Sequence, residues 1–249
     1  MKVPKRSGLR LLLLAGCMTA VIHAAEKPVG LLPRFSEMAP GEALPGWQAM
    51  TFTKIKSHTR YTLVEDDGRT VLRADSEASA SGLVKEVNID PNDYPVISWQ
   101  WKVNRTIENG DVTQKSGDDY AARIYITFVE LPEKLSFFQR TKQAAIRMMY
   151  GKTPPSAALA YIWGNRARVG SIHPNPYTSR VQMIVVDSGS AHVNQWRSEC
   201  RDIVVDFKRA FGADPPRISG VAVMTDSDNT GESATAWYGD IQLSRRSAD

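Results

Sequence analysis

Cysteine is nearly absent from this chain. Its 249 residues contain two, Cys17 and Cys200, and the first lies in an N-terminal stretch that reads as an export signal. No disulfide is therefore expected within the mature chain, and the fold must rest on its apolar core rather than on covalent staples. Cys200 is expected to be a buried, inert thiol. Histidine is scarce as well. Beyond the N-terminal stretch only His58, His173 and His192 remain, too far apart for zinc-ligand spacing. There is no G-x-S-x-G elbow, P-loop or dinucleotide fingerprint, so no cofactor is required. Long apolar runs are missing too: Leu11–Ile22, at about a dozen residues, is shorter than the ~20 a bilayer span needs.

Excess charge is absent once its source is located. The formal net charge of +4 comes from Lys2, Lys5, Arg6 and Arg10, in a segment with no acidic residue. With those four set aside, 27 basic residues balance 27 acidic ones, which excludes the basic surface of a nucleic-acid binder. Lys2–Arg10, the apolar Leu11–Ile22 and the small pair Ala24-Ala25 form a signal peptide over residues 1–25. Leu14-Ala15-Gly16-Cys17 resembles a lipobox, so processing at Cys17 with acylation is the alternative, and membrane attachment is expected only through such an anchor. Either route puts the protein in the periplasm or another extracytoplasmic space.

The remainder, residues 26–249, reads as one mainly β domain. Val96–Val103 (VISWQWKV) places Ile97, Trp99, Trp101 and Val103 on one face and Ser98, Gln100 and Lys102 on the other. Tyr120–Phe128 alternates Ile124, Ile126 and Phe128 with Arg123, Tyr125 and Thr127. Thr59–Val64 and Arg69–Ala74 form a hairpin about Asp67-Gly68. Ser81–Ile89, Ala157–Trp163 and Val181–Asp187 are further strands, and Gly30–Met38 and Gly46–Thr53 are weaker ones. Ile218–Thr225 and Ala234–Leu243 flank a polar turn, the signature of a second hairpin. Leu135–Tyr150 and Gln195–Phe211 have helical apolar spacing, the latter stopped by Gly212. Arg105–Asp119 and Gly164–Ser179 are long polar loops. Short strands with two or so peripheral helices predict a jelly-roll-like β-sandwich of antiparallel strands.

Three constellations carry candidate chemistry. In the turn, Asp226, Asp228, Asn229 and Glu232 offer oxygens to a calcium ion, although Trp237 stands where an EF-hand would need its closing Glu. The same residues also suit a turn bonded to its own backbone. Next is a face. If Ile97/Trp99/Trp101, Ile124/Ile126/Phe128 and Trp237/Ile241/Leu243 point inward on neighbouring strands, then Gln100, Lys102, Arg123, Tyr125, Tyr238 and Asp240 share the outer side. Rings stack on sugars and an Arg fork grips a carboxylate, so such a face suits a glycan or other acidic polymer. A solvated face with an Arg123–Asp240 ion pair is the plainer alternative. Finally, Asp118-Asp119, in the loop Asp111–Asp119, could present carboxylates for acid/base work.

The stretches His58–Tyr61, Ala78–Leu83, Ser98–Lys102 (SWQWK), Gly117–Phe128 and Met224–Ile241 (MTDSDNTGESATAWYGDI) resemble a bacterial exported family, domain of unknown function 3047. The resemblance spans nearly all of the mature chain and implies a single exported β-rich domain, similar in outline to carbohydrate-binding jelly rolls. It supplies no catalytic residues. The expectation is therefore an exported β-sandwich that binds a glycan or envelope polymer. The alternatives are a polysaccharide lyase or hydrolase on the same scaffold, and a structural or assembly protein of the envelope.

Overall fold

The computed structural model describes residues 31–41, 43–129 and 156–246. Its strands are β1 Gln48–Met50, β2 Arg60–Asp66, β3 Arg69–Glu77, β4 Ala80–Ile89 and β5 Val96–Val103. Next come β6 Arg123–Val129, β7 Ala157–Gly164, β8 Ile172–Asn175 and β9 Thr178–Ser188. The series ends with β10 Arg197–Asp202, β11 Arg217–Asp226, β12 Ser233–Tyr238 and β13 Gln242–Ser244. One α-helix among the described residues, α1 Ile203–Phe211, follows β10 directly.

Two sheets face each other as a jelly-roll-like sandwich. One has seven strands in the order β1-β4-β11-β6-β7-β9-β8; the other runs β10-β5-β12-β3-β2, with β13 also paired to β5. Every ladder is antiparallel except β7 with β9. Period-two alternation decides which side chains fill the space between the sheets. On β5, Ile97, Trp99, Trp101 and Val103 are all buried, and on β6 so are Ile124, Ile126 and Phe128. The two layers meet through rings: Trp99 lies 5.2 Å from Tyr161 of β7, and Trp101 lies 5.9 Å from Trp163. Such aromatic pairs add about 0.5–1.5 kcal/mol each beyond the area they bury.

The β2–β3 hairpin follows the sequence closely. Asp66 pairs with Arg69 across Asp67-Gly68, and both turn residues have positive φ, 51° and 73°. That is the twist a two-residue hairpin loop favours, and Asp-Gly adopts it at least cost.

The second expected hairpin does not exist. β11 pairs with β4 and β6 in the seven-stranded sheet, whereas β12 pairs with β3 and β5 in the other. The polar turn carries the chain from one sheet to the other. Nor is Ala234–Leu243 one strand: β12 ends at Tyr238 and β13 begins at Gln242, and the intervening residues reset the alternation. As a result Ala234, Ala236 and Tyr238 are buried, together with Ile241 and Leu243. Trp237, expected in the core beside Trp99 and Trp101, is instead half-buried on the outer side.

Gln195–Phe211 divides into β10 and α1. Asp202 caps the helix by accepting 2.9 Å from the Val205 N–H, and Gly212 closes it at φ 69°, where glycine avoids a Cβ clash. Phe207 packs 4.7 Å from Phe128 and holds the helix to the core. The stretch expected as a first strand holds a 3-10 turn, Phe35–Glu37. The helix expected over Leu135–Tyr150 lies outside the described residues.

Candidate functional site

The residues expected on one outer face fall on two, because β5 and β12 belong to the six-stranded sheet and β6 to the other. Gln100, Lys102 and Asp240 keep to the six-stranded side. There, Ser98 and Gln100 point outward from β5, and β10 sets Ser198 opposite Gln100 and Cys200 opposite Ser98. After β12 the chain leaves the sheet at Gly239, where an added Cβ would stand 3.2 Å from that of Gln100. A glycine lets the backbone pass this close. An open cleft of about 470 Å³ results, lined by Arg69, Ser98, Gln100, Ser198, Asp240 and Gln242, among others. Cys200 lines it too and is exposed, against the expectation of a buried thiol.

The cleft's polar groups hold one another in place. Arg69 Nη1 donates to Gln100 Oε1, and Gln100 Nε2 donates to Ser198 Oγ at 2.9 Å. Asp240 accepts from the Ser36 N–H at 3.0 Å and from its hydroxyl at 2.6 Å. Beside the cleft, cations and indoles alternate across the sheet. The Arg69 guanidinium lies 4.5 Å from the Trp196 ring centre, and Lys102 Nζ lies 5.1 Å from Trp196 and 4.8 Å from Trp237. Lys102 Nζ also donates to Asp66 at 2.6 and 2.9 Å, and Trp196 Nε1 donates to it at 2.8 Å. Burial works to raise the Asp66 pKa, but the bonds from Lys102 and Trp196 outweigh it and hold the carboxyl below its ordinary value.

Arg123, Tyr125, Asp226, Asp228 and Asn229 meet on the outer side of the seven-stranded sheet, under the Arg105–Asp119 loop. Arg123, expected to grip a ligand, is buried at 2% exposure. Its Nε donates to Asp226 at 2.8 Å and its Nη2 to the other oxygen of Asp226. It further donates to the Asp118 carbonyl at 2.6 Å, to the Asp118 carboxylate at 3.4 Å and to Tyr125 Oη at 3.2 Å. The Arg123–Asp240 pair is thus replaced by a buried Arg–Asp knot. Tyr238 is also displaced from the outer face: it is fully buried and its hydroxyl donates to the Met224 carbonyl at 2.8 Å. The reset of alternation after Tyr238 explains this, since β12 has the opposite parity from the one expected.

The Asp118-Asp119 pair is built into the same knot. Asp118 accepts from Asn175 Nδ2 at 2.8 Å. Asp119 accepts the Asn229 N–H and Nδ2 on one oxygen, and the Thr230 N–H and hydroxyl on the other. Carboxylate oxygens of Asp119, Asp226 and Asp228 lie within 4.8 Å of one another. Asp119 thus stands where Glu232 was expected; the Glu232 carboxylate turns away to accept the N–H groups of Glu108 and Asn109. A calcium ion would have to displace the N–H and guanidinium donors that already occupy Asp119 and Asp226, since it needs six to eight oxygens. Burial, reinforced by the charge of Asp119, raises the Asp228 pKa.

Sequence reasoning missed Arg69, Trp196 and Ser198. Trp196 and Ser198 lay within an expected helix, and nothing local shows that Arg69 opens onto a cleft.

The chain belongs to the family described as protein of unknown function (DUF3047), which it matches over residues 45–242. No curated protein matches it. Among solved structures it is similar to the family 11 carbohydrate-binding module of the cellulosomal cellulase Lic26A-Cel5E of Clostridium thermocellum. The identity is 12% and the TM-score 0.41, covering 82% of this chain and 91% of that one. The xyloglucanase domain of NopAA, a type three effector from Sinorhizobium fredii, gives 9% and 0.41, covering 82% and 96%. The carbohydrate recognition domain of Emp47p gives 10% and 0.39, covering 86% and 94%. Likenesses this distant carry no functional argument.

Proposed function

We propose that this is an exported saccharide-binding protein and that the cleft on the outer side of the six-stranded sheet receives the sugar. The observation that carries this reading is the cleft itself. Its volume of about 470 Å³ falls in the range of small-ligand sites. Its side chains include hydroxyls, amides, a guanidinium and the carboxylates of Asp240 and Glu199, and hydrogen bonds among them fix several of their positions. Sugars present hydroxyls to such groups and C–H faces to rings, and the half-buried Trp196 packs against Arg69, which lines the cleft.

Binding is favoured over lyase or hydrolase chemistry because Arg123, the cation suited to neutralising a uronate, is buried and donates to Tyr125, its candidate base, and to Asp118. A purely structural role has less support. Among the described residues, the exposed large apolar side chains Phe52, Val169 and Tyr177 come from separate loops and Val205 from α1. Export rests on the Lys2–Ala25 signal. Mass spectrometry of the mature N-terminus would show cleavage after Ala25 or acylation at Cys17.

The test is a thermal-shift screen of the mature protein against a glycan panel, with Gln100→Ala and Ser198→Ala alongside. A sugar that binds the folded state raises the midpoint by mass action, and both variants should abolish the rise. The same sugar should slow labelling of Cys200 by a thiol reagent. If no glycan shifts the midpoint or protects Cys200, the reading fails.

A further inference from the structure

The strands of the six-stranded sheet carry six basic side chains: Arg60, Arg69, Arg73, Lys102, Arg197 and Arg201. Five have a carboxylate partner. Arg60 and Arg73 pair with Asp75, Lys102 with Asp66, Arg197 with Asp187 and Arg201 with Asp206. Arg69 is the exception among the described residues. Its hydrogen-bond acceptor is the neutral amide of Gln100. Its nearest acidic neighbour in the ladder, Asp66, takes its bonds from Lys102 and Trp196 instead.

This arginine is also held ready. The guanidinium lies over the Trp196 ring, 4.5 Å from its centre, and one of its five N–H donors is held by Gln100. The side chain lines the cleft together with Ser98, Ser198 and Gln242. Two carboxylates, Asp240 and Glu199, line the same cleft, and neither forms an ion pair with Arg69. Asp240 is capped by Ser36, and Glu199, half-buried, sits opposite Trp99 in the ladder. Asp66 feels the charge of Arg69 but does not pair with it directly, and a planar fork with spare donors and no ion-pair partner is the arrangement that recognises a carboxylate in two-point fashion.

We propose that the sugar bound in this cleft carries a carboxylate, as a hexuronate does, and that Arg69 is the residue that binds it. The inference rests on the saccharide-binding reading and narrows it to acidic sugars. The sugar's carboxylate meets the Arg69 fork, and its hydroxyls meet Gln100, Ser98 and Ser198, which line the same cleft.

The experiment is calorimetric titration of the mature protein with uronate trimers (galacturonate, mannuronate and glucuronate), each beside its methyl ester and the matching neutral trimer. The ester keeps the backbone and removes the charge. The acid form of one trimer should bind about tenfold to a hundredfold more tightly than its ester, the size of a charge-assisted hydrogen-bond pair, and should weaken as salt is added. Arg69→Gln should bring acid and ester to the same affinity. Gln100→Glu is the second variant. It gives Arg69 an internal carboxylate, so it should lose the preference for acid while leaving the melting midpoint unchanged or higher. Equal affinity for acid and ester in the unaltered protein, or binding of neutral trimers alone, would overturn the carboxylate assignment and leave saccharide binding standing. Failure of every trimer, charged or neutral, to bind would overturn both.

Discussion

Replacing Arg123 should damage the fold and leave the cleft intact. The guanidinium is buried beneath a loop with both oxygens of Asp226, the carboxylate and carbonyl of Asp118 and the hydroxyl of Tyr125 around it. Arg123→Met removes the one cation and strands two carboxylates at 5% exposure or less. Breaking a buried pair in this way typically costs about 3–5 kcal/mol, because the remaining charge has neither water nor a partner. For a domain of this size about 1 kcal/mol moves the midpoint by roughly 2–4 °C, so a fall of roughly 6–20 °C is expected. Urea unfolding followed by tryptophan fluorescence would measure the loss, with the buried Trp99 and Trp101 as reporters. Adding Asp226→Asn should recover part of it, since a neutral amide can be buried at lower cost. Sugar affinity of the folded fraction should be unchanged, because the cleft belongs to the other sheet. A loss below about 1 kcal/mol, the value of an exposed ion pair, would refute the argument. So would intact stability with lost sugar binding, which would return Arg123 to the role its sequence position suggests.

Three further outcomes are expected. Asp228 has a raised pKa, from burial first and then from the charge of Asp119. Its protonated form is therefore the one that folding favours, a contribution present at low pH and lost as pH rises through the folded value. Asp228→Asn should accordingly raise the melting midpoint at pH 7, with the gain shrinking toward pH 4; a variant that melts lower at pH 7 would contradict this. Calcium at millimolar concentration should leave the midpoint unchanged, since N–H donors and Arg123 occupy the oxygens of Asp119 and Asp226, and a rise of several degrees would show that the ion displaces them. Gly110→Ala should destabilise by about 1–3 kcal/mol. The new Cβ would fall 1.7 Å from Asn165 Nδ2, displacing an amide that bonds both the Ile107 N–H and the Asp119 carbonyl. Urea unfolding would check it, and a neutral effect would mean that the loop moves freely.

What could be read from the sequence was what is local. Alternation in Val96–Val103 and Tyr120–Phe128 depends only on the pleat, and both inner faces were correctly foreseen. The Asp67-Gly68 hairpin is likewise a property of two residues and their φ angles. Which strands share a sheet depends on ladder partners far apart in sequence, and no single strand shows this. β11 and β12 flank an ideal-looking turn yet join different sheets, because Asp226 is held by Arg123 and the Ser227 hydroxyl meets that of Ser76 across 151 residues. The parity of the last strand failed at Gly239, where three residues outside the ladder are enough to exchange the places of Trp237 and Tyr238.

The same reasoning explains why the arginine first suspected is not the one that faces a ligand. Arg123 and Arg69 look alike in sequence, each at the start of an alternating strand. They differ in what arrives from elsewhere. The turn after β11 brings Asp226 to Arg123 and the preceding loop brings Asp118, so its charge is neutralised internally and serves the fold. Arg69 receives from β5 only the neutral Gln100, and from the residue before β10 only the ring of Trp196. A guanidinium that folding leaves without an ion-pair partner, beside an open cleft, is where an external carboxylate gains most. Placing that carboxylate inside the protein with Gln100→Glu is therefore the most direct way to remove the function without harming the fold.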